Sequence, residues 1–168
     1  MNFLFNSVER FVAGTVGQPG DRAFFLQARD GNRLVTVAIE KLQVAALTER
    51  LEIMINGFRK SDVSIQLLSN EIDDGPLELP IESEFEVGSI SISWDDSRRL
   101  MSIELLEIAT EEIETLNSLK VQLSISMCNA FIKRSKALIG AGRLPCPFCG
   151  MPIDPQGHLC PRANGYRR

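Results

Sequence analysis

The sequence predicts an α+β fold, a mainly antiparallel sheet carrying two amphipathic helices. Three observations point there. β-Favourable runs come in pairs joined by tight-turn residues, the apolar period lengthens to three or four residues in only two long windows, and strands and helices do not alternate regularly. With 168 residues and 44% hydrophobic content, the chain can bury one core without staples. Composition divides it into an α+β body, 1–142, and a short tail, 143–168.

Phe11 to Val16 is the first strand, closing at Gln18-Pro19-Gly20. Ala23–Arg29 (AFFLQAR) and Arg33–Ile39 (RLVTVAI) follow, separated by Asp30-Gly31-Asn32. An Asp-Gly between two such runs favours a hairpin, because the turn needs φ > 0. From Lys41 to Phe58 the residues Val44, Leu47, Leu51, Met54 or Ile55, and Phe58 recur at three to four positions, the stripe of an amphipathic helix ending near Gly57.

Asn70 to Glu86 holds seven acids and no base and reads as an exposed connection. It lacks the regular oxygen-ligand spacing of a Ca²⁺ loop. In Gly88–Trp94, Ile90, Ile92 and Trp94 alternate with Ser89, Ser91 and Ser93, so one face is apolar and the other polar. Asp95-Asp96-Ser97 makes a turn, and Leu100–Ile108 returns as a strand. A short acidic helix is expected over Glu111–Leu116.

Leu119, Val121, Leu123 and Ile125 alternate with Lys120, Gln122 and Ser124, forming the last strand. Ser124 or Ser126 caps a second helix running to about Leu138. Met127, Phe131 and Leu138 are expected on its buried side and Lys133, Arg134 and Lys136 on its exposed side. Gly140-Ala141-Gly142 ends it.

Charge is unevenly distributed. The net charge is −4, but Met1–Leu116 has 10 Lys+Arg against 21 Asp+Glu, whereas Asn117–Arg168 has 8 Lys+Arg against one acid. The N-terminal MNFLFNSVERF has no basic region followed by a long apolar run, and no stretch approaches the roughly 18 apolar residues of a membrane span. A cytoplasmic protein is expected, and there thiols stay reduced. GxxxxGK[ST] and GxGxxG are both absent, so no phosphate-cradling loop is visible. With one histidine in the chain, a catalytic triad would compete with any metal for it, so an enzyme is the disfavoured class.

The tail concentrates the rare residues. Cys146-Pro147-Phe148-Cys149-Gly150 has the form of a zinc knuckle, in which two thiolates grip one ion and the glycine permits the turn that aims backbone N–H groups at sulfur. Eight residues separate Cys149 from His158, and His158 and Cys160, two apart on an extended segment, point the same way. Cys146, Cys149, His158 and Cys160 therefore form a Cys₃His set, closed and tetrahedral as structural zinc prefers, in a small zinc-ribbon-like module. Arg162, Arg167 and Arg168 are near enough to offset the site's negative charge.

Other readings stay open. Cys-Pro-Phe-Cys also suits a thiol–disulfide redox centre, although Gly-Met-Pro-Ile-Asp-Pro after Cys149 cannot start the helix that would lower a thiol pKa. Cys128 could replace His158 as fourth ligand, although its apolar setting suits a buried residue. The thiols could also be free.

The ending C-P-x-C-G-x-P-x-D-P-x-G-H-x-C-P-R-x-N-G-Y resembles the C-terminus of an uncharacterised, mainly actinobacterial family of unknown function. The similarity extends to Gly14–Gly20 (GTVGQPG), Phe24–Gly31 (FFLQARDG), Glu40–Leu51 (EKLQVAALTERL) and Gly88–Asp95, nearly the whole chain. The resemblance implies no activity. It implies gene neighbourhood with a histidine-phosphatase-like protein and a phosphatidylinositol-kinase-like protein, hence a shared pathway.

Two functional classes follow. In the first, a non-catalytic scaffold presents Arg162, Asn164, Tyr166, Arg167 and Arg168 to a partner protein, or docks that tail on its own body. In the second, the basic C-terminal third binds nucleic acid, Tyr166 stacking a base beside the two final arginines, against the repulsion of an acidic body.

Overall fold

The computed structural model describes residues 1–18, 20–61, 73–141, 144–145 and 152–153. Strands β1 (Asn2–Phe5), β2 (Arg10–Gln18), β3 (Asp21–Asp30) and β4 (Arg33–Ile39) precede helix α1 (Lys41–Ser61). Strands β5 (Ser83–Asp95), β6 (Leu100–Glu107) and β7 (Ser118–Leu123) precede helix α2 (Ile125–Ala141). These seven strands form one sheet in the order β1-β7-β6-β5-β4-β3-β2. A separate two-stranded ribbon joins β8 (Leu144–Pro145) to β9 (Pro152–Ile153).

The sheet is mostly antiparallel, as expected, and the β3–β4 hairpin turns at Gly31 with φ 61°, a conformation glycine adopts without steric cost. Two joints are parallel. β4 pairs with β5 across the α1 crossover, and β1 pairs with β7, Asn2 opposite Ser118 and Phe5 opposite Val121.

Period-two alternation decides what is buried. Leu26, Val37, Met101, Ile103, Leu105, Leu119, Val121 and Leu123 have no exposed surface. They join Val44, Leu47, Leu51 and Ile55 of α1 and Ile125, Cys128, Phe131 and Ile132 of α2 in one core cluster. Each such side chain contributes about 1.5–3 kcal/mol by leaving water. Phe131 stacks on Phe11 at 5.1 Å, tying α2 to the edge strand β2. Ser89, Ser91 and Ser93 stay exposed on the opposite face.

Behind β3 and β4 that face is covered. Gln27 and Thr36 are buried there; Gln27 Nε2 donates to Thr36 Oγ1 at 3.2 Å and to the Glu78 carbonyl at 3.0 Å. The Glu78 backbone N–H returns a bond to Gln27 Oε1 at 2.8 Å, so the buried amide meets its partners. The acidic connection expected to be exposed thus packs, over 73–82, on the sheet, with the Leu77 side chain against Gly14.

Three further expectations change. α1 runs through Gly57 to Ser61 instead of ending there. Glu111–Leu116 makes turns rather than a helix: the segment has no apolar stripe, and Asn117 donates from both N–H and Nδ2 to the Glu107 carboxylate, at 3.0 and 2.9 Å, fixing the connection. The start of α2 is as expected, Ser124 Oγ accepting from the Met127 N–H at 3.2 Å. Arg134, however, lies against the body instead of on the exposed face. Among the described residues no helix is long and apolar enough to cross a membrane.

Candidate metal centre

β8 and β9 run antiparallel, Leu144 opposite Ile153 and Pro145 opposite Pro152. Six residues lie between them, 146–151, and both cysteines of the knuckle motif are among these. Cys146, Cys149, His158 and Cys160, and with them Arg162, Asn164, Tyr166, Arg167 and Arg168, lie outside the described residues.

Among the described residues, no three His, Cys, Asp or Glu side chains converge as a metal site. Cys128 is fully buried in the core, its backbone N–H bonded to Ser124 O at 3.0 Å. Burial pushes its thiol up to about 12, so it offers no ready thiolate to a metal or an electrophile. Asp95 and Asp96 do not act as a pair. Asp95 Oδ1 accepts from the Ser97 hydroxyl at 2.8 Å and from the Ser97 and Arg98 backbone N–H groups at 3.1 Å. The Ser97 bond foremost holds its carboxyl below the usual range. Asp96 instead accepts from Trp94 Nε1 at 3.3 Å. These are turn and surface contacts.

The strongest electrostatic cluster joins three elements distant in sequence. Arg10 of β2 grips Asp73 through Nε–Oδ2 at 2.6 Å and Nη2–Oδ1 at 3.0 Å, and Nη2 also reaches the Gly75 and Pro76 carbonyls. Arg134 of α2 donates to the carbonyls of Ala13 at 2.6 Å, Asp73 at 2.9 Å and Gly75 at 2.6 Å. The Arg10 bond above all holds the Asp73 carboxyl below its ordinary value, and Arg134 adds to it. Burial pulls the Arg134 guanidinium down, though arginine stays charged. This is a clasp joining β2, α2 and the 73–82 crossover. No local sequence signal marks it, since a lone arginine on a helix reads as solvated.

The tail leaves the body at α2, whose last turns are held by Arg22 Nη2 donating to Leu138 O at 3.2 Å. Arg22 also borders a groove of about 740 Å³, which Phe24, Ile39, Lys41, Gln43 and Val87 line as well. Gln43 Nε2 closes one wall by donating to Val87 O and Gly88 O at 3.0 and 3.1 Å.

Comparison with curated proteins and with solved structures finds no match. A family model does match, over residues 3–160, a span that takes in nearly all of the body together with Cys146, Cys149, His158 and Cys160. The chain belongs to that family, proteins of unknown function (DUF3090).

Proposed function

We propose that the protein is a non-catalytic, zinc-binding scaffold in which Cys146, Cys149, His158 and Cys160 hold one structural zinc ion. The observation that carries this reading is the β8–β9 ribbon around the knuckle. Its two strands are only two residues long and oppose Pro145 to Pro152, and proline gives no N–H to a ladder. A ribbon this short is marginal on backbone bonds alone, and a metal crosslink supplies the missing constraint. The family match reaches residue 160, so the whole ligand set falls within the family's shared unit.

Zinc fixes the segment, and Arg162, Asn164, Tyr166, Arg167 and Arg168 are what it holds out. A partner protein is the favoured recipient over the chain's own acidic 70–86 segment. Asp73 and Glu78 there are already held by Arg10, Arg134 and Arg29, which leaves fewer carboxylates for the tail. Trypsin separates the two cases: rapid cleavage at Arg162 and Arg167 in the zinc-loaded protein means presentation, and resistance means docking.

The metal reading is tested by counting zinc in protein purified without added metal. About one ion per chain is expected, lost in Cys146→Ser; retention in His158→Ala would remove the histidine from the ligand set. Zinc-free protein with free tail thiols would sink the proposal.

Nucleic acid is the second reading, carried by the basic C-terminal third. Among its described bases, Arg134 is engaged in the clasp and Lys136 with Glu52, which weakens the electrostatic footprint. Fluorescence anisotropy at low salt with single-stranded and duplex probes decides it, since binding absent at micromolar protein removes this reading.

A further inference from the structure

β4 stops short of the strands that flank it. Its last residue, Ile39, pairs with Phe24, whereas β3 continues to Asp21 beside β2 and β5 continues to Asp95 beside β6. Beyond Ile39 the chain turns into α1, and the lane between β3 and β5 holds no strand among the described residues. Strands on either side of one missing strand stand roughly 9–10 Å apart, two strand spacings. The groove of about 740 Å³ lies at this place, lined by Arg22 and Phe24 of β3, Ile39 of β4, Gln43 of α1 and Val87 and Gly88 of β5.

Both rims carry main-chain groups that a strand would have used. Two bonds give the phase on the β3 side: Glu9 N–H donates to Arg29 O, and Arg134 donates to Ala13 O on the outer edge of β2. β2 and β3 pair residue for residue from Arg10–Arg29 to Gln18–Asp21. Odd residues of β3 therefore turn their N–H and C=O to β2, and even ones turn theirs to β4. Phe24 is served by Ile39, while the Arg22 N–H and C=O face the empty lane. On the β5 side the Val87 and Gly88 carbonyls accept from Gln43 Nε2, at 3.0 and 3.1 Å, so a side-chain amide stands in for part of the missing strand. Arg22 is half-buried, within reach of solvent and of a ligand.

The side chains around the lane define what fits it. An extended segment alternates its side chains between two faces. The residue paired with Arg22 turns inward, where Phe24, Ile39 and Val87 form an apolar floor, and its two neighbours turn outward, to the side of Glu86. Glu86 is exposed and, like Glu40 of the same groove, makes no ion pair among the described residues. The Arg22 guanidinium is already given to Leu138 O and the Phe24 ring. With Lys41 counted against the two carboxylates, the groove keeps an excess of one negative charge. Its complement is an apolar residue with a basic residue on each side. Nowhere in this chain does an apolar residue stand between two basic ones, so neither the tail nor a second copy supplies it.

We propose that the lane receives a short extended segment of another protein, of the pattern basic–apolar–basic. Its central N–H and C=O bond the Arg22 main chain, and its basic side chains meet Glu86 and Glu40. The sheet gains a section of strand by addition. The site is distinct from the zinc tail and does not depend on the metal.

The test is a two-dimensional ¹H–¹⁵N NMR titration of the full chain with the capped peptide acetyl-Thr-Lys-Val-Lys-Thr-amide. The expected result is a saturable shift of the Arg22 backbone amide, with slower hydrogen exchange there. The same peptide with N-methylvaline at its centre, which cannot donate to Arg22 O, should bind about threefold or more weakly. So should the peptide with both lysines replaced by glutamate. Glu86→Lys, a change at an exposed position, should reverse the preference between the lysine and glutamate peptides without lowering the melting temperature. Equal affinity for the N-methylated peptide, an unchanged preference in the Glu86 variant, or no saturable shift at millimolar peptide would overturn the proposal. An Arg22 amide already protected from exchange in the free chain would mean that the chain's own tail fills the lane, and would overturn it too.

Discussion

Arg10 and Asp73 meet across 63 positions of sequence in a two-pronged bond, Nε to Oδ2 at 2.6 Å and Nη2 to Oδ1 at 3.0 Å. Arg134 comes to the same carboxylate from α2, Nη1 lying 3.5 Å from Oδ1. The edge strand, the crossover and the last long helix are therefore held at one point, and stability should depend on it.

Arg134→Met should destabilise the protein by about 2–3 kcal/mol, measured by urea unfolding. The side chain is 12% exposed, and its loss takes a charged donor from the Ala13 and Asp73 carbonyls and leaves Gly75 O with Arg10 alone; bonds to a charged donor count for more than neutral ones. Lys133→Met on the same helix, outside the clasp, should change stability by less than about 0.5 kcal/mol. Equal effects would mean that the clasp contributes nothing.

Acid should loosen the same joint. The Asp73 carboxyl is held below its ordinary value of about 4, so the unfolded chain takes up the proton first. Its contribution is complete above that ordinary value and is lost as pH falls through the folded one. A third of the side chain is exposed, so solvent screening keeps the effect modest. Asp73→Asn should be less stable than the parent at pH 7, with the gap narrowing towards pH 3, as read from urea midpoints.

Phe131→Ala should cost about 3–5 kcal/mol, because it removes a fully packed ring and its stack on Phe11 at 5.1 Å. Thermal melting checks this. Phe58→Ala at the half-buried Phe58–Trp94 contact should cost less, and a reversed order would mean that the core is centred elsewhere.

Two glycines should differ in their tolerance of a methyl group. A Cβ at Gly14 would first meet the Leu77 side chain, at 2.4 Å, whereas one at Gly88 would first meet the Ile108 backbone, Cα at 2.7 Å. Leu77 belongs to a surface crossover and can shift, but the Ile108 backbone is held by its N–H bond to Glu86 O. Gly88→Ala should therefore lower the melting temperature more than Gly14→Ala, each within the roughly 1–3 kcal/mol range of overpacking.

Thiol titration separates core from tail. Of the four cysteines, Cys128 should stay unreactive towards a disulfide reagent at pH 8 until the fold is opened, because its thiol is raised to about 12. A chelator should release three thiols and denaturant a fourth. Four reactive thiols in native protein would contradict the buried placement.

Much of the fold could be read from local pattern. β4 begins at Arg33 and ends at Ile39, as the RLVTVAI run suggests, and Ser124 caps α2 because a serine before an apolar stripe can accept from an N–H three residues on. The sequence is silent where partners are remote. Asn2–Phe5 is four residues long, and its pairing partner lies more than a hundred residues away, so nothing nearby marks it as a strand. Arg134 looks like any solvated helix cation until Asp73 is brought to it. The candidate metal ligands were legible for the opposite reason: Cys146, Cys149, His158 and Cys160 are close in sequence, and their chemistry shows in residue type and spacing.

The β1–β7 joint has a consequence for the order of assembly. Phe3 and Phe5 pair with Leu119 and Val121, so β1 has its place in the sheet only after β7, more than a hundred residues on, has emerged. Until then β1 is an unclaimed edge, and the loop its pairing closes is among the longest in the fold, the kind of contact that slows folding. The sheet is closed only by the joint between these two strands, and a chain ending between Glu107 and Ser118 would carry β1 to β6 without β7, the partner that β1 needs.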